Sequence, residues 1–158
     1  MWPFRKSLAR IAEGASDREL VTAVHDRSPR KIDEFSGVQR GVHAAWWLKA
    51  EIGNGGGEQY FSNSTADDYP LLCQFLEEIQ ASETLDALTS FGKRFGSPDE
   101  SFPERSKRIE LVAGQEETRG DEWEAVVSAA TERIRSTFSS LTTKLAQHIR
   151  ENLETTEG

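Results

Sequence analysis

Hydrophobic residues recur every three or four positions along most of the chain, which is the spacing of one face of an α-helix. Ser16 and Glu19 form a capping-box pattern, which predicts a helix that begins there and buries Leu20, Val21 and Val24. No alternating apolar and polar pattern of comparable length competes with the helical one, so the sequence predicts few or no β-strands.

The most regular apolar stripe of the first half predicts a helix over residues 34–53. Its members share one helical face: Phe35, Val38, Val42, Ala45, Trp46 and Ile52. An Asn-Gly-Gly-Gly run at 54–57 predicts that this helix ends in a C-cap and a tight loop, because Asn and Gly tolerate positive φ. Two further helices are predicted, one ending near Ala81 and one ending at Gly96.

The second half divides into two segments of different character. Residues 97–120 contain two prolines and two glycines, which predicts an irregular connection with at most a short helix near 104–112. Residues 121–153 contain neither, and their apolar spacing predicts a long C-terminal helix of roughly 50 Å. A helix of that length would require either a kink or a second chain to pack against.

The predicted fold is therefore all-α, a single-domain bundle of six to eight helices with a long C-terminal helix. Within it we distinguish two N-terminal helices of net positive charge (1–32), a helical core (33–96), an irregular connection (97–120) and the C-terminal helix (121–158).

Composition limits the setting of the protein. Cys73 is the single cysteine, lies on an apolar helical face and is expected to be buried. No apolar run approaches the roughly 20 residues of a membrane span, and the N-terminus has no apolar secretory core. We therefore expect a cytoplasmic protein.

Charge is concentrated in the middle of the chain. The net charge is −8, and residues 33–92, with ten acidic and two basic residues, account for −8 by themselves. This excludes duplex DNA and anionic membranes as direct partners and favours a protein with a basic surface. The predicted partner-binding residues, called the central acidic face below, are Asp33, Glu34, Glu58, Asp67, Asp68, Glu77, Glu78, Glu83 and Asp86. The alternative is a set of solvated helix faces.

No pattern of catalytic residues stands out. The three histidines form no i, i+4 pair for a metal, and no serine lies in a nucleophile-elbow pattern, so we expect no catalysis, metal or cofactor. The unusual feature is a group of amides, glycines and aromatics around the glycine run: Glu51, Asn54, Gly55, Gly56, Gln59, Tyr60, Phe61 and Asn63. Two interpretations stay open, a rigid corner between helices and a polar recognition pocket.

The motif in this region resembles the DNA mimic protein nineteen-like family over roughly residues 33–96. The resemblance rests on a helix that carries Gln39-Arg40 and Glu51, on the Asn-Gly-Gly at 54–56, on the Gln-Tyr-Phe-Ser-Asn at 59–63 and on the leucine-rich helix that follows. It implies an all-α fold, a bacterial cytoplasmic setting, a dimer, no cofactor and no established catalysis. The namesake activity is mimicry, in which carboxylates stand in for DNA phosphates.

Three functional hypotheses follow. The first is a non-enzymatic acidic protein that binds a basic protein surface, such as the DNA-binding face of a transcription regulator. The second is a small-molecule or peptide binder that uses the glycine-loop pocket. The third is an immunity-type or scaffold protein that acts through its long C-terminal helix.

Overall fold

The computed structural model describes residues 7–27, 34–98 and 101–156. Within those ranges the chain forms helices and turns and no β-strand, which confirms the all-α prediction. The helices are α1 (Leu8–Ala12), α2 (Asp17–Arg27), α3 (Gly37–Ser62), a 3₁₀ helix (Ser64–Asp68), α4 (Tyr69–Glu78), α5 (Ser82–Gly92), α6 (Arg105–Arg135), α7 (Phe138–Glu151) and α8 (Leu153–Thr156).

The beginning of α2 is as predicted. The Ser16 backbone N–H donates to Glu19 Oε2 at 2.8 Å, and the Glu19 N–H donates to Ser16 Oγ at 3.3 Å. Leu20, Val21 and Val24 are buried on one face of the helix. Local capping and periodicity were therefore sufficient to place this element.

Helix α3 is longer than the sequence predicts. It begins at a capping box between Ser36 and Gln39, and it continues through the glycine run to Ser62. The predicted C-cap and loop at 54–57 are wrong; a single residue, Gly56, leaves helical geometry (φ 84°, ψ −173°) and kinks the helix. The helix resumes because Tyr60 and Phe61 on its second half are fully buried in the core.

The prediction of an irregular connection over residues 97–120 is wrong. These residues are mostly helical instead of irregular, since α6 runs without a loop from Arg105 to Arg135, with a kink at Gly120 (φ 27°). The first part of α6 was missed because it buries few side chains, chiefly Arg108 and Val112, and so has almost no apolar stripe.

The predicted helix over 121–153 is interrupted at residues 136–137, between α6 and α7. The Thr137 hydroxyl donates to the Ile134 carbonyl at 2.7 Å and accepts from the Thr84 hydroxyl at 2.9 Å. These bonds stabilise a turn at this point. Helix α7 then packs against α2 and buries Leu141, Leu145 and Ile149.

The two middle helices end slightly earlier than predicted. Helix α4 ends at Glu78, followed by Gln80 at positive φ (56°), and α5 ends at Gly92 instead of Gly96. One hydrophobic core extends from Leu8 to Ile149 and includes Cys73, so the described segments form one domain. None of the described helices is long and apolar enough to cross a membrane.

Candidate functional site

The kink at Gly56 joins α3 to α6. The Gly57 N–H, released from the helical hydrogen-bond pattern, donates to Thr131 Oγ1 at 2.9 Å. A Cβ at Gly56 would lie 2.8 Å from the same oxygen, so the close approach requires glycine. The contact places the kink against the C-terminal part of α6.

Glu51 is the centre of a polar network that spans the kink. Its Oε2 accepts from Gln59 Nε2 at 2.6 Å and from Asn63 Nδ2 at 2.9 Å, and its Oε1 accepts from Thr65 Oγ1 at 3.5 Å. Three polar side chains of the motif, those of Glu51, Gln59 and Asn63, are thus bonded to one another. This arrangement favours the rigid-corner interpretation over an open recognition pocket.

The other residues of the motif divide between core and surface. Tyr60 and Phe61 are buried, and burial raises the pKa of the Tyr60 phenol well above its ordinary value. Asn54 and Gly55 are exposed on the outer side of the kink, where the Gln59 side chain lies over Gly55. The structure brings the motif together as a helix corner.

Sequence reasoning missed the arginines that cap this corner. Arg108 is 1% exposed and donates to the carbonyls of Phe61 (2.7 Å), Asn63 (2.9 Å) and Pro103 (2.6 Å), and to Asp67 Oδ1 (2.8 Å). Arg105, at the start of α6, donates to the Ser62 carbonyl at 2.9 Å. The carbonyls of residues 61–63 lie at the C-terminal end of α3, so the two guanidinium groups stabilise this end of the helix.

The central acidic face is less uniform than its charge suggests. Three of its aspartates form ion pairs with arginines: Asp67 with Arg108, Asp68 with Arg40 and Asp86 with Arg133. Glu78 lies 3.7 Å from His148. Glu34, Glu77 and Glu83 are exposed, and Asp33 lies outside the described residues. Part of the predicted negative surface is therefore already neutralised within the fold.

A more concentrated acidic surface lies along α6. Residues 110–124 contain six acidic residues and one basic residue. Glu116, Asp121 and Glu124 line a cleft of about 460 Å³ together with Glu58 of α3, between the two helix kinks. Trp123 forms its floor and donates through Nε1 to Glu58 Oε2 at 2.7 Å. We call this the acidic cleft.

The acidic residues of the cleft are visible in the sequence, but summing the charge over a longer segment hides their concentration in residues 110–124. Over residues 93–158 the thirteen acidic residues are offset by ten basic ones, so the segment as a whole has a net charge of only −3. Recognising 105–120 as part of the following helix would have placed Glu116, Asp121 and Glu124 on one element.

Two histidines form an aromatic stack between α2 and α3. The His25 ring lies on Trp46 with a centroid distance of 3.8 Å, and it also stacks on His43 at 5.0 Å. His43 Nε2 accepts from Trp47 Nε1 at 3.1 Å. Burial lowers the pKa of both imidazoles. Within the described ranges, no three His, Cys, Asp or Glu side chains are grouped as metal ligands.

Comparison with known proteins gives one family match. A family model described as DMP19-like protein matches residues 33–152. The match extends from the start of α3 through α7, well beyond the 33–96 over which the motif was noticed. Neither the curated proteins nor the solved structures contain a match to the chain.

Proposed function

Because the chain belongs to the DMP19-like protein family, we propose that it is a non-enzymatic acidic protein that occupies the DNA-binding surface of a basic partner, such as a transcription regulator. The observation that carries the proposal is the acidic cleft, where carboxylates of α3 and α6 converge between two kinks. The family match and the motif agree on the DNA mimic protein nineteen-like family, whose namesake activity is mimicry.

The density of charge on α6 supports this proposal. Six carboxylates over residues 110–124 occupy about 22 Å of helix at about 1.5 Å per residue, or one per about 3.7 Å. A single DNA strand carries one phosphate per about 3.4 Å along its axis. A protein that recognises the phosphates of one strand would therefore meet a similar linear charge density.

The six carboxylates of residues 110–124 are also available to contact a partner, which supports the acidic cleft as the binding surface. Within the part of the chain that the structure describes, none of the six acidic residues between 110 and 124 forms an ion pair. By contrast, three aspartates of the central acidic face are paired with arginines. We therefore propose that the acidic cleft contributes more to partner binding than the central acidic face does.

The proposal is tested by a matched pair of triple variants. Glu116→Gln, Asp121→Asn and Glu124→Gln together remove three charges from the acidic cleft. Glu34→Gln, Glu77→Gln and Glu83→Gln remove the same number of exposed charges from the central acidic face. Each protein is used to capture partners from the native cell, and a captured partner is then tested for DNA binding in the presence of each variant.

The wild-type protein should displace DNA from the captured partner. Its own affinity for that partner should fall at least about tenfold between about 50 and 200 mM salt. The acidic-cleft variant should lose this competition, while the control variant keeps most of it. A partner that holds DNA and this protein at the same time would contradict mimicry, and binding insensitive to salt would contradict a charge-based interface.

The remaining properties that the resemblance implies stay predictions. A regulator as partner would place the protein in the bacterial cytoplasm. The homodimer is tested by light scattering of the purified chain. The apolar face of α7 is packed against α2, so a dimer would have to use another surface.

A further inference from the structure

A second cleft lies on another side of the molecule, between α2, α3 and α7. Its volume is about 570 Å³, within the size range of small-molecule sites. It shares no lining residue with the acidic cleft, and none of its nine lining residues is acidic. Arg18 and Lys49 give its lining a positive charge, in a protein whose net charge is −8. We call it the basic cleft.

Two cations of the basic cleft have no carboxylate partner. Within the described ranges, neither Arg18 nor Lys49 forms an ion pair. The acidic neighbours of Arg18 in sequence are engaged elsewhere, since Asp17 binds Arg150 at 2.8 Å and Glu19 binds Ser16. The positive charge in the cleft is therefore not compensated by adjacent side chains.

Lys49 is held in place within the cleft. Its Nζ donates to Thr142 Oγ1 at 2.5 Å and lies 5.9 Å from the centroid of the Phe138 ring. Burial lowers the pKa of the Lys49 ammonium, and the charge of Arg18 lowers it further. An anion bound near the two cations would stabilise the charged ammonium and so offset both effects.

Helix α7 contributes its N-terminal end to the same cleft. The helix begins at Phe138, and no side chain caps it at Thr137. The first turn of a helix presents backbone N–H groups and a partial positive charge, which favours anions. Ser139 of this first turn adds a hydroxyl that lines the cleft, whereas the Thr142 hydroxyl, one turn further on, donates to the Phe138 carbonyl and accepts from Lys49.

Aromatic surface completes the site. Trp46 and Phe138 line the cleft beside the charged groups, and Trp46 is held by its stack on His25. A flat ring attached to an anionic group could pack on these side chains.

From these features we propose that the basic cleft binds a small molecule that carries a phosphate group and a flat ring, as a nucleoside monophosphate does. Arg18, Lys49 and the start of α7 would hold the phosphate, and Trp46 and Phe138 would contact the ring. The inference goes beyond the proposed function and does not rest on it, because the two clefts have no residue in common.

Calorimetric titration of the full chain with adenosine monophosphate tests the proposal, with adenosine, inorganic phosphate and a short DNA duplex as separate arms. The monophosphate should bind with a dissociation constant below about 1 mM and at least about tenfold more tightly than adenosine or phosphate. No binding at about 10 mM, equal affinity for adenosine or phosphate, or tighter binding of the duplex would each overturn it.

Variants locate the site. Lys49→Met and Arg18→Gln should each weaken binding of the monophosphate by about tenfold, while Lys107→Met, which removes an exposed charge from α6, should leave it unchanged. Arg18 is exposed, so its variant is expected to fold even if Lys49→Met does not, and circular dichroism checks both. Unchanged affinity in a folded Arg18→Gln protein would contradict the assignment.

Discussion

Asn63 Nδ2 donates to Glu51 Oε2 at 2.9 Å, although Glu51 lies within α3 and Asn63 caps the end of that helix twelve positions later. In a straight α-helix, twelve residues rise about 18 Å, which is farther than these side chains can span. The contact exists because the chain bends at Gly56 and turns out of the helix at Asn63. The motif around the glycine run therefore bends α3 at Gly56 and stabilises the bend through hydrogen bonds to Glu51.

Replacing the kink glycine should destabilise the fold. Gly56→Ala would place a Cβ at φ 84°, ψ −173°, which is almost exclusively a glycine region, and 2.8 Å from Thr131 Oγ1. We expect a loss of about 3 kcal/mol in the free energy of unfolding, measured by urea denaturation. Gly53→Ala is the matched control, since Gly53 is helical with open space around it, and it should stabilise by about 0.5–1 kcal/mol. Equal effects at the two positions would contradict the kink.

Neutralising the centre of the network should also cost stability. Glu51→Gln keeps the shape of the side chain but replaces the charged acceptor of the Gln59 and Asn63 amides by a neutral one, which weakens both hydrogen bonds. We expect a loss of about 1–2 kcal/mol in chemical denaturation. Glu77→Gln at an exposed position should change stability by less than about 0.5 kcal/mol. A Glu51→Gln protein as stable as the wild type would show that the amides do not need the carboxylate.

Removing the buried guanidinium should have a large effect. Arg108→Met leaves the terminal carbonyls of α3 without their donor in a buried position. We expect a loss of about 3 kcal/mol or more, together with faster amide exchange in the last turn of α3. The adjacent exposed residue provides the control, and Lys107→Met should be nearly neutral. If the two variants had similar stability, the capping role of Arg108 would be wrong.

The histidine stack should make stability fall in acid. The pKa of His25 and of His43 lies below the ordinary 6.5, chiefly because both rings are buried. The unfolded chain therefore takes up protons first: stability is complete above pH 6.5 and declines as pH falls below it through the folded pKa values. Protonation of His43 Nε2 would also remove the acceptor for Trp47.

Imidazole titration by NMR and denaturation at several pH values check this expectation. The pKa of His25 and of His43 in the folded protein should lie below 6.5, and the paired variant His25→Gln, His43→Gln should flatten the pH dependence of unfolding between about pH 5 and 7. A folded-state pKa at or above 6.5 for both would refute the linkage.

Some features of this protein were determined by the sequence alone. Apolar spacing predicted the all-α fold, the capping box located the beginning of α2, and the apolar surroundings of Cys73 predicted its burial. These features depend on residues within one or two turns of each other, and contacts of that range are readable from spacing.

Other features were decided by tertiary contacts. The glycine run permits either a helix end or a kink, and the choice is made by Thr131, which binds the Gly57 N–H, and by burial of Phe61 beyond it. Likewise, α6 extends through residues with little apolar periodicity because Arg108 binds carbonyls 45 and 47 positions earlier in the chain. Local spacing leaves such alternatives close in free energy, and hydrogen bonds and burial between distant segments select one of them.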